Sequence, residues 1–177
     1  MKNNNYKLHN VFFPIWLLLL FPPAWLIVLP INLLIDSLVI YFTLKYLKVE
    51  EKINILKKAI LKTWIFGFVA DIIGVIVMLL PIFVEFNYNS NLYNFWHDNV
   101  VAGLSMNPFL NPYSFIYALA CLVLSSYLIY VFNIKYVFKK LDLEDGIKHK
   151  LSLSLAIFTA PILFMIPTAF FSGGYYY

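Results

Sequence analysis

The chain alternates between long apolar blocks and short segments that carry nearly all of its charged residues. The apolar blocks cover residues 11–47, 63–84, 115–137 and 151–170. At about 1.5 Å per residue, the first block would form a helix of roughly 55 Å, which is too long for one membrane crossing and suits two short ones. The pattern therefore predicts an all-α, polytopic integral membrane bundle with about five membrane segments. These segments are 11–29, 31–47, 63–84, 115–137 and 151–170.

The first block allows more than one path through the membrane. Pro22 and Pro23 interrupt it, and Pro30 offers a tight reversal. The two halves are then either an antiparallel pair of crossings or a re-entrant hairpin. The alternative is a short interfacial helix that ends at Phe21, followed by one long crossing from Ala24.

The lysines predict the topology, because positive charge is retained on the cytoplasmic side of a membrane. All 13 basic residues are lysines; they lie before the first block, within 45–62 and within 135–150, whereas 85–114 contains none. Five crossings with a cytoplasmic N-terminus place every lysine inside, and four crossings would leave Lys2 and Lys7 outside. The prediction is one membrane domain over 1–177 with cytoplasmic loops 48–62 and 138–150 and an outer segment 85–114.

The inner segment 48–62 also has a helical pattern of its own. Val49, Ile53, Leu56 and Ile60 are spaced at helical intervals with lysines between them. An apolar stripe flanked by lysines is typical of a helix that lies on the inner leaflet. We therefore expect a separate surface helix there.

Composition favours the membrane and gives no support to a nucleic-acid partner. Hydrophobic residues make up 62% of the chain and charged residues 12%, with a mean hydropathy of +0.79. Soluble domains are nearer to about half apolar and a quarter charged. The net charge of +4 comes without any arginine, so no bidentate fork for phosphate or guanine is present. The expected partner is a lipid bilayer with anionic inner-leaflet lipid, and the lysine-, asparagine- and isoleucine-rich composition favours a bacterial cell membrane.

No motif predicts catalysis, a metal centre or a cofactor. His9, His97 and His149 are far apart, and His97 falls on the opposite side of the membrane from the other two. The chain contains no HExxH, no paired cysteines, no glycine-rich phosphate loop and no GxSxG. An enzyme is therefore the less favoured interpretation.

Two carboxylates inside apolar blocks give the strongest pointer to function. A charged side chain in hydrocarbon costs several kcal/mol, so it is kept where it has a partner or a role. At 1.5 Å per residue, Asp36 lies about 16 Å and Asp71 about 12 Å from the inner ends of their segments. We expect adjacent antiparallel helices to hold the two at nearly the same depth.

The polar and small residues around the aspartates follow helical faces. Asn32 and Thr43 share a stripe with Asp36, while Gly67 and Gly74 surround Asp71. The glycines predict a flat face against which another helix packs closely. The segment 115–137 adds two candidate hydrogen-bonding residues near mid-depth, Ser125 and Tyr127.

Three interpretations of the pair remain open: recognition of a partner helix, and two that differ in how the carboxylates are protonated. Two close carboxylates in low dielectric cannot both stay ionised without cost, so one holds a proton, the two share one, or the pair binds a cation. In the other interpretation both are protonated and hydrogen-bond to their neighbours as packing groups.

The leading functional hypothesis is a small transporter-like protein. Asp36 and Asp71 would accept the proton or cation, with support from the four hydrogen-bonding residues named above. A chain this short would oligomerise to build a path. The alternative is a non-catalytic membrane subunit or anchor that docks a protein partner through its lysine-rich cytoplasmic loops.

Overall fold

The computed structural model describes residues 19–87 and 90–168, and the regular secondary structure in these residues is all helical. The helices are α1 (Pro22–Tyr46), α2 (Lys52–Leu79), α3 (Asn91–Trp96), α4 (Ala102–Met106), α5 (Pro112–Phe132) and α6 (Asp145–Phe158). Short 3-10 or π turns occupy Leu80–Phe83, His97–Val101, Pro108–Leu110, Asn133–Val137, Phe138–Lys140 and Ile162–Phe164. The all-α prediction is confirmed for this part of the chain.

Four helical stretches in the described residues are long and apolar enough to cross a membrane. Their outward surfaces are apolar too: the side chain of Leu26 is 82% exposed and that of Phe158 is 67% exposed. Soluble proteins rarely expose so many large apolar side chains together, so this surface fits lipid. The chain is a helical bundle of a multi-pass membrane protein. The stretches are Pro22–Tyr46, Lys52–Phe83, Pro112–Lys140 and Asp145–Phe164.

The first apolar block contains one long helix where two segments were predicted. α1 runs without interruption through Pro30, so the predicted reversal there is wrong, and the alternative of one long crossing from Ala24 agrees with the structure. Pro30 has no N–H with which to bond the Leu26 carbonyl, so α1 lacks one backbone hydrogen bond there. The Trp64 indole of α2 donates to a different carbonyl, that of Leu29, at 2.9 Å, and this bond joins α2 to α1 near the proline. Residues 11–18 of the predicted segment 11–29 lie outside the described residues.

The lysine-rich inner segment belongs largely to α2. The helix begins at Lys52 and continues unbroken to Leu79, so the separate surface helix predicted over 48–62 is wrong. Residues 52–66 contain neither proline nor glycine, and nothing in them ends a helix. α1 meanwhile ends just before Lys48, whose φ of 55° places it in the left-handed conformation common after helix C-termini.

The other segments also differ in their bounds from the predictions. The helix predicted over 115–137 begins at Pro112 behind Asn111, whose side chain accepts a hydrogen bond from the Tyr113 N–H. The last helix begins at Asp145 rather than near 151 and ends at Phe158. The predicted loop 138–150 therefore shortens to the few residues before Asp145.

The four long helices form a ring in which α2 packs between α1 and α5, and α6 packs between α5 and α1. Two apolar cores are stacked along the bundle. One includes Ile40 and Ala70 with residues of the lysine-bearing end, and the other includes Val75 and Phe164. Asp71 lies at the boundary between these two cores.

Candidate functional site

Both intramembrane aspartates line one cavity of about 200 Å³, here called the aspartate cavity. Its walls come from α1, from α2 and from the irregular stretch 158–166 that follows α6. Asp36 and Asp71 are 5% and 6% exposed, so the protein removes both almost completely from its outer surface. Their similar depths on antiparallel helices led us to expect that Asp36 and Asp71 lie close together, and in the structure both border this cavity.

Gly67 faces the Asp36 carboxylate across the contact between α1 and α2. A Cβ at position 67 would lie 3.9 Å from Asp36 Oδ2, and no other atom outside its own helix turn comes within 4 Å. Gly67 also lines the aspartate cavity, one helical turn before Asp71. The missing side chain therefore leaves α2 flat at the point where it faces the carboxylate of α1.

The charges of the site are not balanced by a basic side chain. Asp71 Oδ1 is buried and has no hydrogen-bond partner in the described residues, and the two carboxylates interact electrostatically. Neither lysine nor histidine is among the described residues that line the cavity. Like charges in low dielectric repel strongly, so a proton or a cation is the chemical means of stabilising this pair.

A broken helix forms the third wall of the cavity. α6 ends at Phe158, Thr159 bends away, and Pro161 has no N–H with which to bond the carbonyl of Ile157. The chain resumes as a single 3-10 turn at Ile162–Phe164. Irregular backbone at membrane depth is tolerated where protein buries it or where it lines a water-filled cavity. This stretch does line the aspartate cavity, so the C-terminal end of α6 is part of the cavity wall.

The other predicted site residues separate into two groups. Asn32 lines the aspartate cavity one turn from Asp36, whereas Thr43, Ser125 and Tyr127 do not line it. Thr43 is half-buried two turns further along α1, and Tyr127 is 62% exposed on the outer surface of α5.

Ser125 and Gly74 meet at the contact between α2 and α5. The Ser125 hydroxyl donates to the Ala70 carbonyl at 3.3 Å, one residue before Asp71. A Cβ at Gly74 would overlap Ser125 Oγ and would lie 2.8 Å from the Phe164 ring. Gly74 therefore lies in a tightly packed contact, and its partners are α5 and the turn after α6.

Sequence reasoning missed several polar residues of the interior. Trp64 lines the cavity, and nothing in its position near the start of an apolar block singles it out. Thr63, Asn133 and Ser152 are buried and each has a side-chain oxygen without a partner in the described residues. A single polar residue in an apolar block gives no signal of the direction in which it faces, so the sequence could not single these out.

The described residues contain no group of three or more histidine, cysteine, aspartate or glutamate side chains that could hold a metal ion. Comparison of the chain with protein-family models, with curated proteins and with solved structures found no match.

Proposed function

We propose that this protein is a small transporter-like membrane protein that handles a proton or a monovalent cation at Asp36 and Asp71. One observation carries the proposal: two almost fully buried carboxylates from adjacent helices line one cavity, and no basic side chain of the described residues lines it with them. Intramembrane carboxylates of this kind are found along proton and ion pathways.

The broken helix supports a cation over an anion. The end of α6 carries carbonyl oxygens and the negative end of the helix dipole, and both favour positive charge. Discontinuous helices whose C-terminal ends and unwound carbonyls coordinate Na⁺ or H⁺ are a recurring feature of membrane transporters. In this proposal Asn32 hydrogen-bonds to the cation's hydration shell or to Asp36.

Ser125, Thr43 and Tyr127 have less direct roles in this proposal. Ser125 holds α5 against the α2 backbone next to Asp71 and so positions that carboxylate. Thr43 and Tyr127 lie away from the cavity and would act only if the path continues along the bundle or between two copies of the chain.

Infrared difference spectroscopy of the membrane-embedded protein tests the proposal. The protonated carboxyl C=O stretch is followed while pH or the Na⁺ or K⁺ concentration changes, and Asp36→Asn and Asp71→Asn assign the bands. We expect a band that responds to pH or to the cation and disappears in one of these variants. Asp142→Asn, which removes an exposed carboxylate, is the matched control and leaves the band in place.

Uptake into liposomes provides the functional measurement. Reconstituted protein is expected to move protons or a monovalent cation across the membrane, and each aspartate variant is expected to abolish this movement while its helical circular dichroism is retained. If the carboxyls stay protonated across the accessible pH range and both variants move ions like the native protein, the aspartates are packing groups.

The second candidate function is a non-catalytic subunit or anchor that docks a protein partner at the lysine-bearing end. A groove of about 440 Å³ between the α1–α2 connection and the α5–α6 connection favours this second function. Side chains of both charges line the groove: Glu50, Glu51, Lys58 and Asp142. A docking subunit would tolerate Asp36→Asn and would lose its partner when these charges are neutralised. A pull-down with the native protein and with each class of variant separates the two functions.

We also propose a location in the plasma membrane of a bacterium, with the lysine-bearing end of the bundle in the cytoplasm. In that orientation α1 starts at the outer surface. The predicted cytoplasmic N-terminus lies outside the described residues.

A further inference from the structure

A second concave surface lies on the outside of the bundle, away from the aspartates. It is an apolar groove of about 530 Å³ between α5 and α6, here called the α5–α6 groove. Small side chains, Ser126, Ala156 and Ala160, lie along it, with Tyr127 and Leu153 beside them. None of these residues lines the aspartate cavity except Ala160, so the two features share only the edge formed by the helix break.

The length of the α5–α6 groove matches one leaflet of a bilayer. Along α5 it extends from Leu122 to Tyr130, which is about 12 Å of helix at 1.5 Å per residue. Half of a typical hydrocarbon core is about 15 Å thick. The groove therefore has most of the length that one lipid acyl chain occupies in a leaflet, and its Tyr130 end is the end nearer to the lysines.

The inner end of the groove is polar. Tyr130 Oη and His149 Nδ1 lie 2.7 Å apart and join α5 to α6 there. Lys150 and Lys135 are both exposed near this pair in sequence. Within the described residues, the ion pair recorded at this end joins Lys148 to Asp145 and leaves these two lysines out. An apolar groove thus ends where histidine and lysine side chains are available to an anion.

We propose that the α5–α6 groove binds an anionic phospholipid of the inner leaflet. One acyl chain lies along the small residues between α5 and α6, and the phosphate contacts His149 and Lys150. Charge complementarity selects this occupant, because a headgroup with net negative charge attracts surface lysines more strongly than a zwitterionic headgroup does. The site does not depend on the ion-handling role of Asp36 and Asp71.

Photo-crosslinking in vesicles tests this site directly. The protein is reconstituted in phosphatidylcholine that contains a trace of phosphatidylglycerol with a diazirine on its acyl chain, and mass spectrometry maps the labelled residues. We expect labelling concentrated on 122–130 and 153–160. The same diazirine chain on phosphatidylcholine or on diacylglycerol is expected to label these residues less, and free glycerol phosphate is expected not to compete, since it lacks the chain.

Two variants separate the chain contact from the headgroup contact. Ser126→Leu fills the groove and is expected to reduce labelling, while Ala120→Leu, on an exposed position of α5 outside the groove, leaves it unchanged. Lys150→Gln is expected to reduce labelling by phosphatidylglycerol about fivefold, which corresponds to about 1 kcal/mol for one surface lysine. Lys57→Gln on α2 is the matched control.

Two results would overturn the proposal. In one, labelling is spread evenly over the apolar surface of the bundle and does not depend on the headgroup. In the other, the groove residues cross-link to a second copy of the chain and Ser126→Leu converts an oligomer to a monomer, so that protein rather than lipid occupies the groove.

Discussion

At the scale of single residues, the interior of this bundle contains polar side chains that differ in how well they are satisfied. The hydroxyl of Ser125 has a partner in the backbone of α2, whereas that of Ser152 is fully buried without one in the described residues. A buried polar group without a hydrogen bond costs free energy that a methyl group in the same place does not. The two serines therefore make opposite contributions to stability, although both lie in apolar helices.

The first prediction compares these two serines. Ser152→Ala is expected to raise the free energy of unfolding by about 1 kcal/mol, since it removes an unsatisfied hydroxyl. Ser125→Ala is expected to lower it by about 0.6 kcal/mol, which is typical of one interhelical hydrogen bond in a membrane protein. Reversible unfolding in mixed micelles, followed by circular dichroism, measures both. Equal destabilisation by the two changes would contradict the assignment.

At the scale of helices, two prolines have different consequences. Pro30 lies within α1, and the helix continues past it to Tyr46. Pro161 follows a bend, and α6 ends before it beside the aspartate cavity. The residue type is the same in both cases, so the presence of a proline does not by itself decide whether a helix continues.

The two glycines of α2 provide a prediction at this scale. Gly74→Ala is expected to destabilise the bundle by about 1 to 3 kcal/mol, because its methyl group would overlap Ser125 and the Phe164 ring in a tightly packed contact. Gly67→Ala is expected to be neutral or slightly stabilising, by up to about 1 kcal/mol from helix propensity.

The same two variants distinguish a glycine that is needed for helix packing from a glycine that borders the aspartate cavity. The methyl carbon of Gly67→Ala would lie 3.9 Å from Asp36 Oδ2 and would narrow the aspartate cavity. We therefore expect altered ion binding in the infrared titration without loss of stability. If Gly67→Ala unfolds the protein, or if Gly74→Ala does not weaken it, the division into a site glycine and a packing glycine is wrong.

At the scale of the whole molecule, charge is separated along the bundle axis. The connection between α1 and α2 and that between α5 and α6 lie at the same end, and both are flanked by lysines. α3 and α4 lie in the connection between α2 and α5 at the other end, and 85–114 contains no lysine. This arrangement agrees with the sidedness that the lysines predict for the four helical stretches.

Cysteine accessibility checks this orientation. In a Cys121→Ala background, single cysteines are placed at Asp142 and Asn94, both of which are exposed. In intact cells a membrane-impermeant maleimide is expected to label position 94 and to reach position 142 only after permeabilisation. A third cysteine at Asn3 locates the N-terminus. Labelling of 142 in intact cells would reverse the proposed topology.

The sequence by itself determined the class of the protein, the approximate positions of its apolar helices, the lysine-bearing end and the two aspartates. These properties depend on composition and on distance along a helix, and both can be read from the order of residues. The proximity of Asp36 and Asp71 could be inferred from their depths in the membrane, because their helices were expected to be antiparallel neighbours.

Only the tertiary structure decided which residues join the aspartates. It brought Asn32 and the broken end of α6 to the cavity and left Thr43, Ser125 and Tyr127 elsewhere. It also decided that Pro30 lies inside a helix while Pro161 follows the end of one. Helix rotation and the identity of the neighbour across a contact determine these outcomes, and neither is encoded in the periodicity of one segment.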